Sequence, residues 1–355
     1  MDVLSDELRE LGTTSRRLLE RSARTTPFPP PFGAPAALDR ELWSALAGLG
    51  LLGLAVPEDL GGSGGGATEL CVLAEEVGAA LPAVPFAGTV AVTGVLAACA
   101  DDATARQVLA EVMKGTLVVA PAWETFPAQL VPGRRTALQR SDDRVHGALA
   151  AVPFGAAADL VLAFADPATA VLLDTSTDAV RVRAVPALDA VEPLAAIEVQ
   201  PVAAPLLPVA VPTELIRLAL AAELVGTAQR ALDAAVAYAK ERRQFGRPIG
   251  SFQAIKHLLA DRHVQLDAAR MLVRKAAEAL DAGDAGAAEA VAAAVIATCD
   301  AADATTGDAL QVHGGIGFTW EHPAHVYLKR ARARRVLLGS QARQLDGLAK
   351  LIFAS

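Results

Sequence analysis

The sequence contains little cysteine and has no excess of basic residues. Its three cysteines, Cys71, Cys99 and Cys299, are odd in number and far apart, so they form neither a disulfide framework nor a CxxC metal pair. Lysine and arginine total 32 against 40 aspartate and glutamate residues, which gives a formal charge of −8. Because a nucleic-acid binder needs a broad positive field, we do not expect nucleic acid as a partner.

Long apolar runs and an export signal are also missing. The mean hydropathy is +0.35, yet the longest apolar stretches, near Leu46–Pro57 and Ala287–Cys299, are shorter than the roughly 18 residues that a transmembrane helix needs. The segment MDVLSDELRELG lacks the basic region followed by an apolar region that marks a signal peptide. We therefore predict a cytoplasmic protein that does not enter a membrane.

The 355 residues are enough for two or three domains of ordinary size. Helical periodicity over residues 1–116 gives way to short β-type runs over 117–208, and strong helical periodicity returns over 209–355. Prolines throughout the middle segment disfavour long central strands. The sequence predicts a mainly α protein with an N-terminal helical domain, a small β-barrel or sandwich of short strands, and a C-terminal four-helix bundle.

Local signals refine this outline. Apolar residues at Leu42, Leu46 and Leu49 predict a helix that ends before Pro57, and Thr68 is the expected cap of the next helix. Between them, Gly61–Gly66 is a helix connector rather than a phosphate loop, because no strand precedes it and no Lys-Ser/Thr ends it. The C-terminal periodicity predicts two long helices, a third that stops at a glycine pair, and two shorter ones: 215–236, 255–280, 287–312, 322–335 and 341–353.

Three segments resemble a known family. They are LAGLGLLGLAVPEDLGGSG (46–64), AKERRQFGRPIGSFQAIKHLLAD (239–261) and QVHGGIGFTWEHPAHVYLKRARARRVLLGSQ (311–341). Together they resemble the acyl-CoA dehydrogenase family, over nearly the whole chain and with the same order of helical, β and helical-bundle domains. The resemblance implies an FAD-dependent oxidoreductase that removes two hydrogens from the CH–CH bond next to an acyl thioester.

The resemblance implies FAD contacts at six positions: Arg242, Gln244, Phe245, Gln311, Gly314 and Gly315. Arg242 is implied to meet the flavin diphosphate across a dimer interface, where a guanidinium offers a fixed fork of donors to phosphate oxygens. The glutamine and the glycine pair match the QxxGGxG motif, which contacts the adenosine half of FAD. Two simpler alternatives stay open, namely an arginine favoured by a helix C-terminus and glycines that only stop a helix.

The family's catalytic base has no counterpart in this sequence. The resemblance implies that a carboxylate takes the α-proton from one of two positions, which align here with Leu338 and Ile216. The Leu338 backbone N–H could still serve as an oxyanion donor. Glu223 follows Ile216 by seven residues, on almost the same helix face, and is either a desolvated base or part of an interhelical hydrogen bond or ion pair. Arg217 is its partner or a neighbour of the substrate site.

The middle domain departs further from the family. The TEPxxGSD and WxTN segments that support the flavin ring are replaced by APAWETFPAQ (120–129) and AAVPFGAA (150–157). Trp123, Glu124 and Thr125 are expected to occupy some of that space. No metal is expected, because the nearby histidines 313, 322 and 325 lack a carboxylate or cysteine at familiar spacing.

Three functional hypotheses remain. The first is a subunit of a heteromeric, actinobacterial-type acyl-CoA dehydrogenase that completes a partner's FAD site without supplying the base. The second is a homo-oligomeric flavoenzyme with a relocated base or altered acyl-thioester chemistry, and the third is a non-enzymatic acyl-thioester-binding scaffold. Acyl-CoA or an acyl-carrier thioester is the expected small-molecule partner, and an assembly of at least two chains is expected.

Overall fold

Five helices form the N-terminal part of the chain. The computed structural model describes residues 5–23, 28–131, 138–142 and 144–353. The five helices are α1 (Asp6–Ser22), α2 (Arg40–Gly48), α3 (Ala67–Ala80), α4 (Phe86–Ala98) and α5 (Ala103–Met113). As predicted, the helix with the buried Leu42 and Leu46 ends before Pro57, and its N-cap Asp39 accepts a hydrogen bond from the Leu42 N–H at 2.9 Å.

The expected cap at Thr68 is wrong. Helix α3 begins one residue earlier, at Ala67, and its first amides are bound by a carboxylate from the distant C-terminal part. Asp281 accepts the Ala67 N–H at 2.6 Å, the Thr68 N–H at 3.0 Å and the Thr68 hydroxyl at 2.6 Å. An aspartate is a better cap than the threonine because its two oxygens satisfy several orphan donors at once.

The central domain contains two four-stranded sheets. Its strands are β1 (Val119–Pro121), β2 (Gln139–Ser141), β3 (Arg144–Pro153), β4 (Leu160–Asp166), β5 (Thr169–Asp174), β6 (Val180–Val185), β7 (Leu194–Ala203) and β8 (Leu206–Pro208). The sheets have the orders β1-β4-β5-β8 and β2-β3-β7-β6, and only the β1–β4 pair is parallel. Both sheets contribute to one hydrophobic core.

The described strands do not close into a barrel, so the expected barrel is corrected to two open sheets. Pro121 and Pro208 lie in β1 and β8, the two edges of the first sheet. Proline cannot donate a ladder hydrogen bond, and it is therefore found where no further strand is added. The abundance of proline also predicted that long central strands would be absent, and this is wrong for the second sheet, whose inner strands β3 and β7 are each ten residues long. Pro153 is the last residue of β3 and Pro201 lies at an irregularity in the β3–β7 register, positions where a ladder tolerates proline.

The C-terminal part is a helical bundle, as predicted. It consists of α6 (Thr213–Glu241), the short hairpin strands β9 (Arg243–Gln244) and β10 (Arg247–Pro248), α7 (Gln253–Asp281), α8 (Ala287–His313), α9 (Ala324–Leu338) and α10 (Gln341–Phe353). Its long helices bury mainly alanine, valine and leucine, which permits close packing of neighbouring helices. In the part of the chain that the structure describes, no helix combines the length and apolar character needed to cross a membrane.

Helices α3 and α6 cross with their backbones almost in contact. A Cβ added at Gly226 would lie 1.8 Å from the Glu75 carbonyl oxygen, and one added at Gly78 would lie 1.9 Å from the Glu223 carbonyl oxygen. The buried Thr227 hydroxyl donates to the Gly78 carbonyl at 3.0 Å across the same crossing. The N-terminal helices are thereby fixed on the bundle at a point where only glycine fits.

Candidate functional site

The hairpin after α6 presents an exposed cation and an exposed aromatic ring. Arg242 is exposed and follows the last residue of α6, and its side chain makes no hydrogen bond or ion pair with the residues that the structure describes. Phe245 has a left-handed backbone (φ 52°) and is 91 % exposed. The turn is held by a hydrogen bond from the Arg243 guanidinium to the Gly246 carbonyl at 3.1 Å. This surface, with Gln244, suits contact with a phosphate group from outside the chain.

The glycine pair lies at the same end of the bundle as this hairpin. Ring centroids of Tyr238, in the last turns of α6, and His313, at the end of α8, are 4.7 Å apart. Gln311 is exposed, and a Cβ added at Gly314 or Gly315 would meet no atom within 4 Å. Gly314 also has a positive φ of 63° and ends α8. The same glycine can therefore both terminate the helix and leave its backbone open to a ligand. The adenosine half of a flavin fits this open, glycine-lined backbone.

The two usual base positions lie near each other at the opposite end of the bundle. Helix α9 runs antiparallel to α6, because Tyr327 is hydrogen bonded to Arg230 while Arg334, further along α9, bonds to Glu223. Continuing this register brings Leu338 level with the first turns of α6, where Ile216 lies. The two side chains are 0 % and 1 % exposed and belong to the main core. Neither can accept a proton.

The expected oxyanion donor at Leu338 is also wrong. Helix α9 continues through Leu338, so its backbone N–H is used in the helical i→i−4 hydrogen-bond pattern. The buried Gln344 amide holds the Leu338 carbonyl at 3.2 Å. Beyond it, at the α9–α10 junction, lies an open cleft of about 530 Å³, and its lining residues are Arg332, Arg335, Val336, Gly339, Ser340, Gln341 and Arg343. The described lining offers guanidinium groups and no carboxylate.

Glu223 is part of a buried ion cluster. The cluster joins α6, α9 and the loop between β6 and β7. Its carboxylate accepts from Arg330 at 2.7 Å and from Arg334 at 3.0 and 3.1 Å. Arg334 also donates to Glu192 at 2.6 and 3.1 Å, and Arg330 donates to Asp189. Glu223 is 1 % exposed. The geometry supports the ion-pair alternative over the speculative base, since both oxygens of Glu223 are held by guanidinium groups.

The ion cluster perturbs the titration of its members. Burial alone would raise the pKa of Glu192, but the salt bridge with Arg334 and the nearby charge of Arg330 hold it below its usual value. Burial would lower the pKa of Arg334, and Glu192 and Glu223 raise it instead. No local sequence pattern indicates this cluster. Arg330 and Arg334 are spaced by one helical turn within a basic run, while Asp189 and Glu192 lie in the loop between β6 and β7.

Arg217 is not the partner of Glu223. Its Nε is buried and has no hydrogen-bond partner among the described residues, and burial lowers the pKa of this guanidinium, with partial compensation from Glu214. Arg330 and Arg334 take the pairing role that was one of its two expected functions. Its proximity to the substrate site stays a prediction.

The middle-domain residues expected near a flavin ring are engaged within the protein. The Thr125 hydroxyl donates to the Ala122 carbonyl at 2.7 Å and accepts from the Phe164 N–H at 2.9 Å. The Glu124 carboxylate accepts from the backbone of β3 at Ala150 and Ala151. Trp123 is buried. The Thr125 hydroxyl and the Glu124 carboxylate are therefore not free to hold an isoalloxazine ring, in contrast to the open surface for the adenosine-diphosphate half of FAD.

The two halves of the candidate site are far apart in one chain. Ile216 and Arg242 lie at opposite ends of α6, about 39 Å apart at the helical rise of about 1.5 Å per residue. This exceeds the length of an extended dinucleotide. One chain therefore cannot bring both ends to the same flavin. Among the described residues, no group of three or more histidines, cysteines or carboxylates is arranged to hold a metal ion.

Comparison with known proteins agrees with this architecture. Residues 5–116 match the N-terminal domain and residues 213–353 the C-terminal domain of acyl-CoA dehydrogenase. The chain is 40% identical over 317 residues to acyl-CoA dehydrogenase FadE34 of Mycobacterium tuberculosis, covering 88% of this chain but only 42% of that protein. It is 31% identical over 359 residues to acyl-CoA dehydrogenase IpdE2 of Mycolicibacterium smegmatis, covering 99% of this chain and 100% of that protein.

A solved structure gives the same result for the whole fold. The Tcur3481-Tcur3483 steroid ACAD G363A variant superposes with a TM-score of 0.82 and 30% sequence identity, and the match covers 98% of each chain. The likeness extends over the helical regions and the two central sheets. The chain belongs to the acyl-CoA dehydrogenase family.

Proposed function

We propose that this chain is a subunit of an FAD-dependent acyl-CoA dehydrogenase, one that completes a partner chain's flavin site and does not supply the catalytic base. The observation that carries the proposal is the uneven condition of the two ends of α6. Arg242, at one end, is exposed, whereas the two usual base positions at the other end hold the apolar, buried side chains of Ile216 and Leu338. The name of the similar steroid ACAD structure joins two chain designations, which also supports a partner chain.

Each part of the proposal has a physical basis. Arg242 can give a bidentate, charge-assisted contact to a diphosphate, and Gln311 with the glycine pair can lie against the adenosine. When bound, FAD supplies the electron-accepting chemistry of the family. This chain's own residues bind and orient it from outside. Proton removal from the acyl thioester, acyl-CoA or its carrier-protein equivalent, is left to a carboxylate of the partner.

The visible absorption spectrum of purified protein tests this proposal. We expect a colourless chain when it is purified alone and a yellow complex when it is co-purified with a related chain. Yellow protein with acyl-CoA oxidation in the absence of any other chain would favour the homo-oligomeric flavoenzyme. Colourless protein under both conditions that still binds acyl-CoA would favour the scaffold.

Arg242→Ala should release flavin from the assembled complex. Losing a charge-assisted, bidentate contact costs about 1.5–3 kcal/mol, which corresponds to a roughly ten- to hundredfold weaker FAD affinity. The measurement is the flavin-to-protein ratio after gel filtration. Lys240→Ala removes a neighbouring exposed cation in the last turn of α6 and should leave the ratio unchanged. Equal ratios for wild type and Arg242→Ala would contradict the diphosphate assignment.

Leu338→Glu should not create a working base. The Thr125 hydroxyl, expected near a flavin ring, is engaged within the middle domain, and a carboxylate without proximity and orientation lacks several kcal/mol of the required stabilisation. The assay is bleaching of bound flavin after addition of acyl-CoA to the complex. Leu338→Gln is the matched control, because it places a similar polar side chain at the same buried position.

Two outcomes of that assay would contradict the proposal. A gain of roughly 10²–10⁴-fold in Leu338→Glu over Leu338→Gln would mean that the site is intact and lacks only its base. Robust turnover by the wild-type chain alone that is lost in a folded Glu223→Gln variant would make Glu223 the base.

A further inference from the structure

A cluster of histidines and aromatic rings joins the glycine loop to the bundle. We call it the histidine cluster and define it by Tyr238, His313, Trp320, His322 and His325. The ring centroids of His313 and His322 are 4.3 Å apart, and those of Trp320 and His325 are 4.8 Å apart. Tyr238 stacks on the other side of His313 at 4.7 Å. Three histidines thus hold the segment that links α8 to α9.

Hydrogen bonds orient two of these rings. His313 Nδ1 lies 2.7 Å from the Ala309 carbonyl oxygen, so this nitrogen carries the proton. His322 Nδ1 accepts the Ala324 N–H at 3.2 Å, so its proton is on Nε2. His325 is 6 % exposed, and neither of its ring nitrogens has a hydrogen-bond partner among the described residues.

Among the described residues packed against the cluster, no anion is paired with one of its imidazoles. Helix α6 contributes Tyr238, and the segment 28–32 contributes aromatic rings and the Pro30 carbonyl, which accepts from Trp320. Helix α9 contributes a cation, Lys329, with its ammonium 4.5 Å from the Trp320 ring centroid. Glu321, the nearby loop carboxylate, is fully exposed and hydrogen bonded to Thr319. Protonation of the cluster would therefore add positive charge beside positive charge.

The glycine loop depends on these contacts. Residues Gly314–Phe318 form a single 3₁₀ turn directly after His313, and Trp320 and His322 follow within four residues. Ile316 and Phe318 are 46 % and 67 % exposed, so their side chains add little packing on the bundle. The loop is attached to the bundle by these ring contacts and by the buried Gly317, which packs against Leu310 and His313 of α8.

We propose that the histidine cluster is an acid-sensitive latch, which holds the loop Gly314–Phe318 on the bundle while the imidazoles of His322 and His325 are neutral and releases the loop when they are protonated. Its effect on flavin retention rests on the proposed function, because that function assigns Gly314 and Gly315 to the adenosine contact. The opening of the loop itself does not depend on that assignment.

The direction of the pH dependence follows from the folded-state pKa values. Burial and His313 lower the pKa of His322, while burial, Lys329 and His322 lower the pKa of His325. An unfolded or released histidine titrates near about 6.5. The closed loop therefore has its full stability above this pH. As the pH falls below it, the equilibrium constant for closing the loop decreases by about tenfold per pH unit for each extra proton bound in the open state.

Hydrogen exchange of the loop amides in the full-length protein tests the latch. Between about pH 7.5 and about pH 5.5, after correction for intrinsic exchange, we expect protection over residues 314–322 to fall about tenfold if opening takes up one proton. His322→Asn combined with His325→Phe should remove most of this response, since asparagine can still accept the Ala324 N–H. His263→Asn alters an exposed histidine of α7 and should retain the full response.

Loop protection that is equal at both pH values in the wild type, or a full pH response in the double variant, would overturn the latch. If the double variant does not fold, the latch is tested by NMR titration of the wild-type histidines. Two of these histidines must then have pKa values below the ordinary value. Flavin retention by the complex is measured in parallel. A loop that opens at low pH without flavin loss supports the latch and contradicts the proposed adenosine contact, whereas flavin loss with a closed loop contradicts the latch.

Discussion

Arg334→Met is expected to lower the free energy of unfolding by about 3–5 kcal/mol, the usual cost of removing one partner from a buried ion pair. Methionine fills much of the same volume, so the loss is electrostatic and not a cavity effect. Glu192 would lose both donors of its bidentate pair, and Glu223 would keep only Arg330. The measurement is urea unfolding at fixed chain concentration.

Arg332→Met is the matched control for this variant. Arg332 lies on the same helix two residues earlier, is 54 % exposed and pairs with Asp303 at 3.1 Å. Exposed pairs contribute at most about 1 kcal/mol, and Asp303 retains a second partner in Arg335. Similar small losses in the free energy of unfolding for both variants would contradict the expected cost of removing a partner from the buried cluster.

Gly226→Ala should be the other strongly destabilising change, by about 3 kcal/mol, at the upper end of the cost of overpacking. The added Cβ would meet the Glu75 carbonyl oxygen at 1.8 Å, the Glu75 carbonyl carbon at 2.7 Å and the Ala79 nitrogen at 2.9 Å. These are backbone atoms of α3, and no rotamer change can relieve the contact. The two helices must separate along their whole interface, which also disturbs the Thr227 hydrogen bond.

Gly307→Ala is the matched control, because it makes the same substitution in another bundle helix and should not destabilise the protein. Gly307 lies inside α8, and a Cβ added there has no atom within 4 Å. The alanine should be neutral or stabilising by about 0.5–1 kcal/mol because it favours the helix. Thermal and urea unfolding of both variants are compared with wild type. Destabilisation of equal size in the two would mean that the α3–α6 crossing is not the cause.

The sequence predicted those features that depend on local periodicity. The long bundle helices repeat their apolar residues every three or four positions, and α6, α7 and α8 are present over nearly the expected ranges. The joint at Arg242 and the glycine stop at Gly314 also lie where the residue pattern predicted turns.

The features that sequence reasoning missed depend on contacts between distant residues. Nothing near Thr68 indicates that Asp281 caps its helix, and nothing near Glu223 identifies Arg330 and Arg334 as its partners. Predicting two open sheets in place of a barrel would have required knowledge of which strand edges stay unpaired. The expected oxyanion donor at Leu338 is wrong because α9 extends to that residue. Helix ends are fixed by tertiary packing as well as by local sequence.

The cap at Asp281 has a consequence for the order in which the protein matures during synthesis. The acceptor for the first amides of α3 lies 213 residues downstream of Thr68, so these amides stay open to water until most of the chain has left the ribosome. The glycine crossing adds to this delay, because α3 also lacks its packing surface until α6 is made. The part of the protein that is synthesised first is consequently completed late, and a truncated product ending before residue 281 would carry an unfinished N-terminal region that quality-control proteases can recognise.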